Sequence, residues 1–181
     1  VEAAVGVVPS GGGVKESYLR WHAHLGDWEQ AAWKAWMNLG YAATGSSPEL
    51  ASRMQYFRQN HDETVMNRDR LLPRAIQLVT EMAISYAPPK PPKSELAPVE
   101  LAEKMAGFMQ DGVDCGDFMP HDKTVAMQIA TIMVQSPDED SHIDEDGLFA
   151  RERAAFIRLA KTPETHARIN AMLDDGAPVR N

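Results

Sequence analysis

Residues 27–39 read DWEQAAWKAWMNL, and this stretch carries the clearest secondary-structure signal in the chain. Its apolar residues recur at intervals of three and four, which places them on one face of an α-helix: Trp28, Ala31, Ala32, Ala35, Trp36 and Leu39. Trp33 lies off that face and indicates a second contact surface. Because all four tryptophans fall between residues 21 and 36, they indicate core and interface packing rather than a cofactor site.

Toward the N-terminus, residues 1–17 read VEAAVGVVPSGGGVKES. The first nine residues are predicted to be the end of a buried strand, because their valines are β-branched and apolar. Three successive glycines then predict a turn into a helix over about 14–24, since glycine lets two backbones approach closely. Glu2, which lies ahead of this turn, is a candidate general acid or base.

Toward the C-terminus, the apolar spacing predicts further helices, one starting in SSPELASRM (46–54) and others over 69–86, 98–110, 121–134, 144–160 and 162–174. Ser46 and Glu49 have capping-box spacing, and Thr162 precedes a proline in a first turn. His121 and Asp122 are expected to open and cap their helix. APPKPPKSELAP (87–98) predicts a stiff, extended connector at the surface.

Composition excludes several classes of protein. The net charge of -8 over 181 residues argues against a nucleic-acid partner, whose phosphates attract basic surfaces. No apolar run approaches the roughly 18 residues of a membrane span. Cys115 is the single cysteine, so no internal disulfide is possible and a cytoplasmic location is expected. The acids around Cys115 favour an inert thiol over a nucleophile.

Two stretches resemble ligand-binding loops but lack essential residues. PSGGGVKES (9–17) would need Gly-Lys-Ser/Thr to bind phosphate, yet Gly13 is followed by Val-Lys-Glu, which favours a tight turn. In SPDEDSHIDEDG (136–147) the calcium-loop register would place His142 first and Arg153 twelfth, which indicates a solvated acidic loop. His22 and His24 are two residues apart and face different directions on a helix. No metal site is therefore expected.

The spacing of the opening residues resembles one known family. Glu2, Gly6, Pro9 and Gly12-Gly13 resemble the crotonase (enoyl-CoA hydratase/isomerase) superfamily, in which a catalytic glutamate precedes Gly-x-x-Pro and a glycine turn. Three further segments resemble the crotonase module at the C-terminus of bacterial multifunctional fatty-acid oxidation proteins, which also carry an NAD-dependent 3-hydroxyacyl-CoA dehydrogenase: VMNRDRLL (65–72), HDKTVAMQIA (121–130) and the tail from residue 152 to 181. The tryptophan-rich segment fits this subgroup least, which leaves the acyl preference open.

The resemblance implies an α/β crotonase fold of ββα repeats. This chain would supply the end of the sheet region and the mostly α-helical C-terminal part. Residues 1–86 would be the second half of the crotonase core, 87–98 the proline-rich connector, and 99–181 a helical region for active-site cover and oligomerisation. The oxyanion-hole segments of the family would lie ahead of Val1.

The resemblance also implies a function, a trans-2-enoyl-CoA hydratase (a lyase) of β-oxidation that needs the N-terminal half of the fold. Glu2 would be its general acid and base, and Pro9, Gly11, Gly12 and Gly13 would bind substrate. No cofactor would be bound, since coenzyme A is part of the acyl-CoA substrate. The implied partners are that N-terminal half as a separate chain or missing segment, further copies in trimers, and a fused or associated 3-hydroxyacyl-CoA dehydrogenase.

Two alternatives to the hydratase stay open at the level of sequence. The first is a crotonase-fold isomerase or hydrolase that acts on cyclic or aromatic acyl-CoA. The second is a non-catalytic helical subunit that only builds an interface.

Overall fold

The computed structural model describes residues 2–58 and 60–181. The chain forms two compact units. The larger unit comprises Val1–Thr44 and Pro92–Asn181, and the smaller unit is Gly45–Pro91. The three segments expected from the sequence describe functional parts rather than compact units, and they stay a prediction.

Helices account for most of the described secondary structure. In chain order they are α1 (Gly13–Leu25), α2 (Trp28–Gly40), α3 (Pro48–Arg53), α4 (Leu71–Ala83), α5 (Glu100–Asp114), α6 (Pro120–Met133), α7 (Glu145–Leu159) and α8 (Pro163–Asp175). Two short 3-10 helices cover Glu2–Val5 and Arg68–Arg70. Strands β1 (Ser94–Glu95) and β2 (His142–Ile143) pair antiparallel, with Ser94 opposite Ile143.

Side-chain caps explain where several helices begin. Asp27 accepts a hydrogen bond from the Gln30 backbone at the start of α2, and Thr162 caps α8 as predicted. The predicted cap at Ser46 is wrong by one residue, because the Ser47 hydroxyl accepts from the Leu50 backbone at the start of α3.

At the start of α6, Asp122 caps as predicted by accepting from the Met119 N–H at 2.8 Å. His121 is not a cap, because its ring is buried and bonds to a side chain of α8. The expectation that both residues cap this helix is therefore half right.

Helix α6 lies at the centre of the larger unit and packs against α1, α2, α5 and α7. Its inward residues include Val125, Ile129 and Met133, which are at most 3% exposed. Ala31, Ala32 and Ala35 of α2 are fully buried, and such small side chains let neighbouring helices approach closely. The predicted apolar face of residues 27–39 is thus confirmed as core except at Trp28, which is partly buried against it.

The smaller unit contains α3, the second 3-10 helix and α4. Arg74 of α4 bonds both carboxylate oxygens of Glu63, at 2.7 and 2.8 Å. The apolar residues of α4 stay exposed, with Leu72 at 69% and Val79 at 66%. An exposed apolar stripe of this kind is unusual on a monomeric surface.

The expected crotonase fold is wrong for this structure. Among the described residues, the only sheet has two strands of two residues each, and ββα repeats are not formed. The predicted strand over residues 1–9 is also wrong: Val1 lies outside the described residues, and Glu2–Val5 form a 3-10 helix. Gly6 then takes a left-handed φ of +88°, which ends any extended run.

A hydrophobic run long enough for a bilayer is absent from every helix within residues 2–58 and 60–181.

Candidate functional site

A pocket of about 330 Å³ opens in the larger unit. This volume lies in the range of small-molecule sites. The pocket is walled by α2, α5, α6 and α8, by the first 3-10 helix and by residues 178–180. Most of its lining side chains are apolar, among them Trp36, Met37, Phe108, Phe118, Val125 and Val179.

One wall of the pocket is a run of aromatic rings. Trp36 and Phe108 meet edge to face with centroids 5.8 Å apart, and Phe108 lies 6.0 Å from Phe118. Tyr41 extends the run, 5.7 Å from Phe118. The Trp36 indole N–H donates to the Ala126 carbonyl at 2.8 Å, so this ring is fixed. The wall is therefore rigid and apolar.

The polar part of the pocket lining includes an ion pair. Arg168 of α8 donates from Nη2 to the Asp122 carboxylate at 2.7 Å, and both residues line the pocket. Arg168 also donates from Nε to the Asn181 side chain at 2.8 Å and from Nη2 to the Asn181 carbonyl at 3.0 Å. Because Arg168 is only 4% exposed, its charge depends on Asp122 for compensation.

A buried relay of hydrogen bonds supports this ion pair. The Thr165 hydroxyl donates to the Gly6 carbonyl at 2.7 Å, and His121 Nε2 lies 2.9 Å from the same hydroxyl oxygen. The hydroxyl proton is already used, so His121 Nε2 must carry a proton and donate. Burial, together with the nearby Arg168 charge, lowers the pKa of His121. The ring is therefore neutral, and it joins α6 to α8.

The glycine turn at the start of α1 is closed by a carboxylate from α7. Glu152 is fully buried and accepts from the Gly12 N–H and the Lys15 N–H, each at 2.7 Å. Gly12 has a φ of +103°, and a Cβ on Gly13 would lie 2.6 Å from Pro9 Cβ, so both positions require glycine. Burial raises the pKa of the Glu152 carboxyl, while its N–H donors act in the opposite direction.

Lys15 strengthens the same contact between α1 and α7. Its ammonium group bonds the Glu145 carboxylate and lies 2.9 Å from Glu16. It also sits 4.6 Å from the centroid of the Phe149 ring, a cation–π distance. The turn is thus sealed by charge-assisted contacts of the chain itself.

The residues predicted from sequence divide between two places. Pro9, Gly11, Gly12 and Gly13 form the turn sealed by Glu152, and none of them lines the pocket. Glu2 is exposed at the start of the first 3-10 helix, next to the pocket-lining Ala3 and Ala4. The catalytic role of Glu2 and the substrate-binding role of the turn stay predictions.

Sequence reasoning missed the buried charges, although a signal existed. Glu152 falls within an apolar stripe of α7, between Leu148 and Ala155. Arg168 is three residues after the buried Thr165 on α8. A charged residue at an inward position of a helix is rare unless it is paired, so each predicts a buried partner. The partners themselves are distant in sequence.

Comparison with known proteins gives one relative. No family model matches the chain, and no solved structure matches it. A curated protein of Bacillus subtilis (strain 168), described as "Probable 3-hydroxyacyl-CoA dehydrogenase", is 30% identical over 185 residues. The match covers 100% of this chain and 23% of that protein. The chain therefore spans about a quarter of the length of the curated relative.

This relative corrects the predicted resemblance and function. Its name is that of a dehydrogenase, an oxidoreductase, whereas the spacing of the opening residues predicts a crotonase-type hydratase, a lyase. Together with the helical fold, the match overturns both the crotonase assignment and the hydratase reaction. The Glu-Gly-Pro-Gly spacing did not identify the family correctly, because a glycine turn into a helix also occurs in unrelated folds.

Proposed function

We propose that the chain is part of an acyl-CoA-metabolising enzyme of the 3-hydroxyacyl-CoA dehydrogenase type, and that the pocket takes the acyl group. The pocket is the observation that carries this proposal. It is concave and mostly apolar, and its lining includes the Arg168–Asp122 ion pair. The similarity along the whole chain to a protein with a dehydrogenase name supports the substrate class.

A nicotinamide cofactor does not fit the described residues. Dinucleotide sites use a parallel sheet and a glycine turn whose free N–H groups face a pyrophosphate. Within residues 2–58 and 60–181 the single sheet is a two-stranded antiparallel ladder, and the Gly12 and Lys15 N–H groups donate to Glu152. The proposed contribution of this chain is therefore binding of the acyl group.

The size of the pocket sets the expected chain length. If a methylene group fills about 30 Å³, similar to the share of a water molecule in the liquid, about ten carbons fit. Each buried methylene contributes about 0.8 kcal/mol, or about fourfold in affinity. Affinity should thus rise about 200-fold from butanoyl-CoA to octanoyl-CoA and level off beyond about ten carbons.

The test is to titrate the 181-residue chain with a series of acyl-CoA ligands and to monitor binding by tryptophan fluorescence. Trp36 lines the pocket, so its emission should report binding there. Free coenzyme A is the reference ligand. An affinity that does not depend on acyl length, or that equals the affinity for coenzyme A, would contradict the proposal.

A matched pair of glycine variants locates the binding. Gly40 lines the pocket at the end of α2, and a Cβ added there meets no atom within 4 Å. Gly107 of α5 is equally open but lies outside the pocket. We expect Gly40→Leu to weaken octanoyl-CoA binding at least tenfold. Gly107→Leu should leave the binding unchanged, and equal effects of the two variants would move the site elsewhere.

A further inference from the structure

Helix α4 of the smaller unit has an apolar face that stays exposed within the described part of the chain. Its large side chains are 55–69% exposed, and they are Leu71, Leu72, Ile76, Val79 and Met82. Ala75 and Ala83 of the same face are exposed as well. These seven residues are called the α4 stripe below. A contiguous apolar surface of this kind marks an interaction site.

The spacing of the α4 stripe fits a second helix of the same kind. Leu72, Ile76, Val79 and Ala83 follow one another at intervals of four, three and four residues, the spacing of helices that pack side by side. The stripe contains no charged residue, which is typical of the centre of a protein interface. Such a surface can pair with its own copy about a two-fold axis.

The area of the α4 stripe is sufficient for a dimer. Burial of a side chain such as leucine removes roughly 100 Å² of apolar surface from water. The stripe therefore supplies about 600 Å² per copy, or about 1,200 Å² in a dimer. Specific interfaces begin at about 1,200 Å² of total buried area, so the stripe alone reaches the lower end of their range.

Charge favours the smaller unit as the surface through which two copies meet. Residues 45–91 contain six Lys or Arg and five Asp or Glu. The smaller unit thus has a net charge of +1, and the chain total of -8 leaves the larger unit with -9. Two larger units repel each other, whereas two smaller units do not. A net charge of +1 also gives little attraction to an anionic membrane.

The ends of α4 favour an antiparallel arrangement of the two helices. Residues 68–70 carry two arginines and one aspartate just ahead of α4, at the positive end of its dipole. Glu81 lies near the negative end, and Arg74 is already paired with Glu63. An antiparallel partner brings unlike ends together, whereas a parallel partner brings like ends together.

We propose that the α4 stripe is a dimer contact, in which two copies of this chain pack their α4 helices antiparallel about a two-fold axis. The inference does not depend on the proposed function, because no residue of α4 lines the pocket.

Sedimentation equilibrium of the 181-residue chain tests the contact. One copy has a mass of 20.0 kDa. We expect the average mass to rise toward about 40 kDa as the concentration increases to about 100 µM. Leu72→Glu places a carboxylate in each stripe and should weaken association by about tenfold or more. Leu173→Glu is the matched control and should leave association unchanged, because Leu173 is a 78% exposed leucine of α8, outside the stripe.

Three results would overturn the dimer. The first is a wild-type chain that stays at 20.0 kDa over this range of concentration. The second is an equal effect of the two glutamate variants, and the third is a limiting mass of three copies. Vesicles of phosphatidylcholine and phosphatidylglycerol identify the other occupant: if the wild type is monomeric and sediments with them while Leu72→Glu does not, the stripe binds a lipid surface.

Disulfide cross-links test the orientation. Cys115 is exposed, so the variants are made in a Cys115→Ser background. On mild oxidation, a mixture of Leu72→Cys and Ala83→Cys should cross-link one variant to the other. A parallel pair would instead link each variant to itself, which would overturn the antiparallel arrangement. If circular dichroism shows that Leu72→Glu is unfolded, the mass of the wild type and these cross-links still decide the question.

Discussion

Replacement of Glu152 by alanine tests the buried contact between α1 and α7. The carboxylate accepts from the Gly12 and Lys15 N–H groups, and the residue is fully buried. In Glu152→Ala both N–H groups lose their acceptor inside the protein. The expected result is a large loss in the free energy of unfolding.

The magnitude follows from the two donors. A buried donor left without a partner costs about 1–3 kcal/mol, so two donors give a loss of about 4 kcal/mol. For a chain of this length, each kcal/mol lowers Tm by about 2–4 °C, so Tm should fall by about 12 °C. Glu152→Gln retains one acceptor oxygen and should lose about half as much.

The assay is denaturant unfolding followed by tryptophan fluorescence. All four tryptophans belong to the larger unit, so the signal reports that unit alone. Glu103→Ala is the matched control, since Glu103 is an exposed glutamate of α5 and its replacement should change stability by less than about 0.5 kcal/mol. If Glu152→Ala is no more destabilising than this control, the carboxylate does not hold α1 and α7 together.

Two further changes test other buried groups. His121 has a lowered pKa, below its ordinary value of 6.5, so its contribution to stability is present above that pH and is lost as the pH falls through the lowered value. Between pH 7 and pH 5 the free energy of unfolding should therefore fall more for the wild type than for His121→Gln, whose side chain can still donate to Thr165. Parallel plots of this free energy against pH for the two proteins would contradict the prediction. The Ser17 hydroxyl is buried without a hydrogen-bond partner in the described structure. Ser17→Ala should raise the free energy of unfolding, measured by denaturant titration, by about 1 kcal/mol. A lower free energy of unfolding in the variant would contradict an unpaired hydroxyl.

Local sequence signals predicted the helices well. The apolar spacing of residues 27–39 and the cap at Thr162 each depend on residues a few positions apart, and both helices formed close to their expected bounds. The prediction of a strand over residues 1–9 was wrong because a short apolar run can be buried in a strand or in a connection between helices. Val8 is fully buried, although it belongs to a connection rather than a strand.

The candidate site was much less predictable, because its bonds join distant residues. Arg168 and Asp122 are 46 positions apart, and Gly12 and Glu152 are 140 apart. Neither pairing leaves a periodic pattern in the sequence. The glycine turn was located correctly, but which group its N–H donors face depends on tertiary packing that spacing alone does not encode.

The long separation between Gly12 and Glu152 has a consequence for synthesis on the ribosome. At about 5–20 residues per second, Glu152 is added roughly 7–30 s after Gly12. Thr165, which closes onto the Gly6 carbonyl, follows later still. Throughout that interval the Gly12 and Lys15 N–H groups lack the carboxylate that accepts from them in the folded protein. The larger unit therefore cannot close before α7 has been synthesised, and a chain interrupted before α7 would leave the glycine turn open to proteases and chaperones.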